Sequence, residues 1–226
     1  MILSKTYIRS FGPILSLLLA SSFCCILVTM RLIKTGNVSY IFLLWNLFLA
    51  WVPVFFAYLL KVQVTKGSQR INLWRYFILL GLWLIFFPNA PYIITDFVHL
   101  NDQPYVKEWF DLLLTFSFAF TGLATGIISM HWAHTAVKKK FNGQIGWLFI
   151  GVCSVLSGYG IYLGRVLRWN SWDLVTNPLN IWKDIFIQAS TPLAQYMTLG
   201  FGGLIFCVYL VFTSFTYLNQ KSYVNR

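Results

Sequence analysis

The chain has 226 residues, of which 58% are hydrophobic, 19% aromatic and only 10% charged. A soluble domain carries about 25% charged residues, so a soluble globular protein is excluded: too few polar groups exist to cover this much apolar surface. The net charge of +11 does not indicate nucleic acid, because the basic residues lie between apolar runs, where such residues orient a membrane protein.

A membrane-spanning helix needs about 20 mostly apolar residues. Six segments qualify: 11–30, 40–60, 71–87, 109–133, 145–163 and 193–218. In the first, Lys5 and Arg9 precede an apolar run in the manner of a signal peptide, and Ala20-Ser21-Ser22 resembles a cleavage site. The run continues past that point to spanning length, so it reads as an uncleaved first helix. The expected fold is all-α: a polytopic transmembrane bundle of about six spans forming one domain over 1–226. Cys24, Cys25, Cys153 and Cys207 fall inside the apolar runs without a C-x-x-C pair, and read as small buried hydrophobes.

The charges sort by side. Lys5, Arg9, Lys61, Lys66, Arg70, Arg75, Lys138, Lys139, Lys140, Lys221 and Arg226 fall on one side, with no acid among them. The other side holds Arg31, Lys34, Lys107, Arg165, Arg168 and Lys183, and every acid: Asp96, Asp102, Glu108, Asp111, Asp173 and Asp184. The positive-inside rule then places both termini in the cytoplasm of a cell (cytoplasmic) membrane. His131 and His134 fall at the basic end and are expected to meet lipid headgroups or solvent.

After the third span comes Phe87-Pro88-Asn89-Ala90-Pro91-Tyr92-Ile93-Ile94-Thr95-Asp96-Phe97-Val98-His99. Pro88 should end that span, and Pro91 suits the first turn of a new helix. As an α-helix this segment is short and amphipathic, lying at the outer interface or dipping in and out. Tyr92, Asp96 and His99 would share one face, with Ile93, Ile94, Phe97 and Val98 largely opposite. Further on, Gly160 and Gly164 in the fifth span form a small-xxx-small pair that admits a neighbouring helix. Arg165 and Arg168 follow, then Asn170 and Asp173. The fourth span opens with Asp111, and Asp111, Thr115, Gly122, Gly126 and Ser129 run down one face, facing the bundle interior. Asn46 and Pro53 are the notable residues of the second span.

Ionisable groups at membrane depth are costly unless paired, so this outer cluster is the candidate site. Asp96, His99 and Asp111 are the candidate catalytic residues, with Asp96 or His99 as base. Asn89, Tyr92, Tyr162, Arg165, Arg168, Asn170 and Asp173 are the candidate substrate-binding residues, and the two arginines suit carboxylate or phosphate. Alternatively, the arginines snorkel and pair with Asp111 or Asp173. No spacing is diagnostic of a metal and no cofactor motif is present, so neither is expected. Asn37-Val38-Ser39 fits a glycosylation pattern but sits on a very short loop.

FPNAPYIITDFVHL followed by YLGRVLRWNSWD, together with NLFLAWVP and Trp109-Phe110-Asp111, resembles an uncharacterised family of bacterial multi-pass membrane proteins, a domain of unknown function. The resemblance runs from about the second span to the sixth. It implies a bacterial cell membrane and no assigned activity.

The expected function is therefore an outward-facing polar site suited to an anionic lipid or lipid-linked envelope precursor, whether catalytic or binding. A transporter or channel component is a second reading, and a non-catalytic assembly subunit with a structural salt-bridge cluster is a third. The partner is the lipid bilayer, not nucleic acid, and the oligomeric state is left open.

Overall fold

The computed structural model describes the backbone of residues 2–65, 72–101 and 108–224, and the side chains of 12–65, 72–100 and 108–217. The expectations for Lys66, Arg70, Ile71, Asp102 and Lys107 lie outside the described residues, as do those for the side chains of Lys5, Arg9, Lys221 and Arg226.

The elements in order are α1 (Ile2–Thr35), α2 (Phe42–Thr65), α3 (Leu73–Phe86), the one-turn α4 (Asn89–Tyr92), a 3-10 helix (Ile93–Asn101), α5 (Glu108–Lys140), α6 (Gly143–Arg165), the one-turn α7 (Asp173–Thr176), α8 (Pro178–Gln188) and α9 (Pro192–Val224). No strand occurs among the described residues. Among the described residues, six stretches are long and apolar enough to cross a membrane: Gly12–Thr35, Phe42–Thr65, Leu73–Leu100, Glu108–Lys140, Gly143–Arg165 and Pro192–Tyr217. The fold is the all-α polytopic bundle expected from the sequence.

Helix ends follow local chemistry. Asn72 accepts from the Arg75 N–H at 3.3 Å and Asn142 from the Ile145 N–H at 2.8 Å, capping α3 and α6. α5 outruns its expected end by about two turns, because Lys138–Lys140 favour a helix C-terminus electrostatically and need no apolar cover. α6 packs chiefly on α9, α2 on α5 and α3, and α1 on α5.

The interior holds large apolar side chains such as Trp83, Tyr76, Phe87, Phe118 and Met130, all fully buried. The perimeter exposes Leu19, Phe48, Phe55, Trp74, Leu148, Leu199 and Phe215. A soluble monomer does not tolerate so wide an apolar surface, whereas lipid tails solvate it. Helix association in such a setting relies on close packing and internal hydrogen bonds, and both are present. Gly158 meets the Thr198 carbonyl and Gly202, which brings α6 and α9 into backbone contact. Trp83 donates from Nε1 to Ser129 Oγ at 3.3 Å. The expected interior face of α5 is realised: Asp111, Thr115, Gly122, Gly126 and Ser129 are all buried.

α3 stops at Phe86, as Pro88 requires, and α4 is wedged between two glycine-bearing helices. A Cβ on Gly122 of α5 would lie 2.7 Å from the Ala90 carbonyl oxygen. On the other side, a Cβ on Gly160 of α6 would lie 2.7 Å from Pro88, and one on Gly164 3.2 Å from the Tyr92 ring. The small-xxx-small pair therefore does admit a neighbour, and that neighbour is the proline-bearing wedge.

The short helix after the third span is present, but its facing differs from the α-helical expectation. From Ile93 it is 3-10, with three residues per turn. Ile93, Asp96 and His99 therefore fall in line, and Ile93 and Asp96 are both buried against α2 and α5. A partner for Asp96 inside the bundle makes that burial tolerable.

Candidate functional site

The acid-bearing end of the bundle gathers the C-terminal ends of α1 and α6, the N-terminal ends of α2 and α5, and the wedge. A continuous chain of polar contacts crosses it. Arg31, near the end of α1, donates from Nε to Asp111 Oδ1 at 2.7 Å and from Nη2 to Oδ2 at 3.1 Å. Both residues are almost wholly buried. The Arg31 guanidinium also sits over the Tyr40 ring, 4.1 Å from its centroid, and the Tyr40 hydroxyl donates to the His99 carbonyl at 3.2 Å. Arg165 then places Nη2 3.1 Å from His99 Nε2 and Nη1 3.3 Å from Asp96 Oδ1. Finally, Asn46 donates from Nδ2 to Asp96 Oδ2 at 2.8 Å.

This corrects the pairing expected from the sequence. Arg165 pairs with Asp96, not Asp111 or Asp173, and Asp111 is held by Arg31. Asp111 therefore lies in a different ion pair from Asp96 and His99. The Arg165 guanidinium can donate to His99 Nε2 only while that nitrogen carries no proton.

Arg168 is exposed and makes no ion pair or hydrogen bond among the described residues. Its φ of 62° makes it the one non-glycine residue with positive φ among those described. That left-handed turn ends α6, with the Trp169 N–H donating to the Leu163 carbonyl at 3.1 Å. Asp173 accepts from the Asn170 N–H at 2.7 Å and from Thr176 Oγ1 at 3.1 Å, so it shapes the turn that opens α7. Tyr162 lies elsewhere, its hydroxyl 3.2 Å from Gln188 Oε1 at the base of α9.

Beside the Asp96 cluster is a cavity of about 180 Å³. Its polar wall is Asn46, Asn89, Asn170 and Ser171, its aromatic wall Trp45, Tyr92 and Trp169, and its apolar wall includes Leu49, Leu163 and Ile181. Asn89 donates to the Phe86 carbonyl at 2.9 Å and to Ser171 Oγ at 3.0 Å. Ser171 in turn donates to the Ile85 carbonyl at 2.9 Å, tying the loop after α6 to the end of α3. The two motifs of the sequence, far apart in the chain, thus form opposite walls of one cavity. Of the expected binding residues, Asn89, Tyr92 and Asn170 line it; Arg165 reaches Asn46 only through Asp96, an expected catalytic residue; Arg168 is next to Trp169.

Sequence reasoning missed four elements of this end. Arg31 was read as an orienting charge, although its position at a span end opposite an acid was the available signal. Tyr40 and Trp45 carried no signal beyond interfacial aromaticity. α8 was overlooked, although Leu179, Trp182 and Phe186 recur at 3 and 4 residues and Pro178 stands at its first turn. Those three side chains are exposed, while Ile181 is buried and lines the cavity.

At the basic end, His134 does not meet headgroups or solvent. It is buried, with Nδ1 2.7 Å from the Tyr209 hydroxyl, and Gly146 of α6 makes room for its ring. Partners on α6 and α9 draw it inward, which its own helix does not reveal. Of the four free cysteines, Cys24 and Cys153 are buried as expected; Cys25 and Cys207 are exposed on the apolar perimeter. Among the described residues no three of His, Cys, Asp and Glu come together as a metal-binding group.

No curated protein and no solved structure matches the chain. A family model does match, over residues 45–212, from Trp45 at the cavity through both motif walls to α9. The chain therefore belongs to the DUF1361 family of proteins of unknown function.

Proposed function

We propose that the acid-bearing end faces outward from a bacterial cell membrane and binds the headgroup of a lipid-linked envelope substrate. The cavity carries this reading. It joins polar, aromatic and apolar walls at one end of a membrane bundle, which suits an amphiphile whose tail stays in the bilayer. The exposed stripe on α8 inserts into the same leaflet and brings the cavity wall to the lipid surface. Arg168, exposed and uncommitted beside Trp169, is placed to meet an anionic linkage such as a phosphate. Arg165 is already committed to Asp96 and positions the cavity from behind.

Binding fits this geometry better than acid–base catalysis by Asp96. Both Asp96 oxygens accept hydrogen bonds, and the side chain is 1% exposed. The His99 Nε2 lone pair is likewise taken up by the Arg165 guanidinium at 3.1 Å. The assembly-subunit reading is favoured by one observation, that Asp111 and Asp96 are both closed into ion pairs.

The test is the lipid that accompanies the purified protein. A bound amphiphile should be depleted several-fold in Arg168→Ala and Tyr92→Ala at unchanged protein level. Equal lipid content in wild type and variants sinks the proposal. Reporter fusions at both termini and after Arg168 check the orientation, with the termini expected inside and residue 168 outside.

A further inference from the structure

The hydrogen-bond inventory of the cavity specifies its ligand more closely. Two amide orientations are fixed by partners that can only accept. Asn46 must present Nδ2 to the Asp96 carboxylate, and Asn89 must present Nδ2 to the Phe86 carbonyl. Both Nδ2 hydrogens of Asn89 are used, the second on Ser171 Oγ. The Ser171 hydroxyl proton is used on the Ile85 carbonyl. Trp169 spends its Nε1–H on Asp184 Oδ2 at 2.9 Å. The Asn89, Ser171 and Trp169 donors are thus committed to the fold, while the Trp45 Nε1–H, the Tyr92 hydroxyl and one Asn46 Nδ2 hydrogen have no partner among the described residues.

The amide acceptors are not committed either. Asn46 Oδ1 and Asn89 Oδ1 receive no hydrogen bond among the described residues, neither is sealed from its surroundings, and both residues line the cavity. Ser171 Oγ keeps a lone pair after accepting from Asn89. Trp45, Tyr92 and Trp169 add aromatic surface, whose electron-rich faces favour the positive edges of C–H groups. Among the described residues, no Lys, Arg, Asp or Glu lines the cavity.

We infer that the cavity takes an uncharged, hydroxyl-rich headgroup, a single sugar ring or a polyol of that size. This rests on the reading of the site as an amphiphile headgroup pocket. Hydroxyl donors satisfy Asn46 Oδ1, Asn89 Oδ1 and Ser171 Oγ, and the C–H face of the ring lies on Trp45 or Trp169. A phosphate or carboxylate inside the cavity would face the Asn46 and Asn89 carbonyl oxygens with no Lys or Arg among the lining residues to neutralise it. Any anionic part of the ligand therefore stays outside, toward Arg168. A quaternary ammonium group would suit the aromatic rings but leaves the amide acceptors without hydrogen-bond donors.

The test uses the full chain in nanodiscs of phosphatidylcholine and, separately, phosphatidylethanolamine, with a photoreactive long-chain alkyl glucoside as probe. Cross-links should map to residues 85–92 and 160–174 in both discs. Unlabelled alkyl glucoside should compete and alkyl phosphate of equal chain length should not. Trp45→Ala, at a residue 54% exposed, should fold normally and lower labelling about fivefold, in line with loss of one good contact. Equal or stronger competition by alkyl phosphate overturns the sugar assignment and leaves the amphiphile pocket standing. Labelling in phosphatidylethanolamine that vanishes in phosphatidylcholine overturns it in favour of choline. No labelling of these segments in either disc, with folded protein, overturns both the assignment and the pocket.

Discussion

Arg165 and Asp96 meet across 69 residues of sequence, with Nη1 3.3 Å from Oδ1. The carboxylate is wholly enclosed while the guanidinium is 22% exposed. Removing the arginine leaves a buried charge with only the Asn46 amide to serve it. Arg165→Ala should therefore cost about 3–5 kcal/mol, read as a lower thermal unfolding temperature in detergent. Adding Asp96→Asn should recover most of the loss, because the orphaned charge is gone. A single variant as stable as wild type would show that the pair does not hold the wedge.

Arg31 and Asp111 form a second, drier pair that ties α1 to α5. Asp111→Ala should destabilise by a similar amount, about 3–5 kcal/mol. The double variant Arg31→Met with Asp111→Leu should be far closer to wild type, since an apolar pair of similar volume removes both desolvation penalties. If that double variant folds and retains the lipid bound by wild type, Asp111 has no part in binding.

The glycine wedge makes a sharp contrast. Gly122→Ala and Gly160→Ala each place a Cβ 2.7 Å from α4 or the preceding proline, and should each cost about 1–3 kcal/mol. Gly151→Ala, in the same α6, meets nothing within 4 Å and should be neutral or slightly stabilising. Thermal unfolding of the three side by side checks this; equal behaviour would refute the wedge.

Arg168 carries a left-handed backbone that glycine adopts without strain. Arg168→Gly should therefore be at least as stable as wild type, by up to about 1 kcal/mol, yet lose the bound lipid. Stability and lipid content measured on one preparation separate the two effects. Lower stability would show that the side chain, not the turn, supports this end.

Much of the architecture was readable in one dimension. Span number, the stop at Pro88 and the interior face of α5 all depend on local composition and helical period. A run of apolar residues has one stable environment; a proline disfavours helix locally, although Pro53 stands inside α2. The site was legible only as a neighbourhood: Asp96, His99, Arg165 and Asn89 were all placed at one end.

Which residue meets which was decided by tertiary packing. The 3-10 winding after Tyr92 turned Asp96 into the bundle, and Arg31 took Asp111 before Arg165 could. His134 left the surface because Gly146 and Tyr209, on two other helices, made a place for it. Composition alone determined that the chain forms apolar helices of membrane-spanning length, because hydrophobicity acts on each segment independently. Only the tertiary structure decided the ion pairs and the cavity, because those depend on distances between segments that share no sequence neighbourhood.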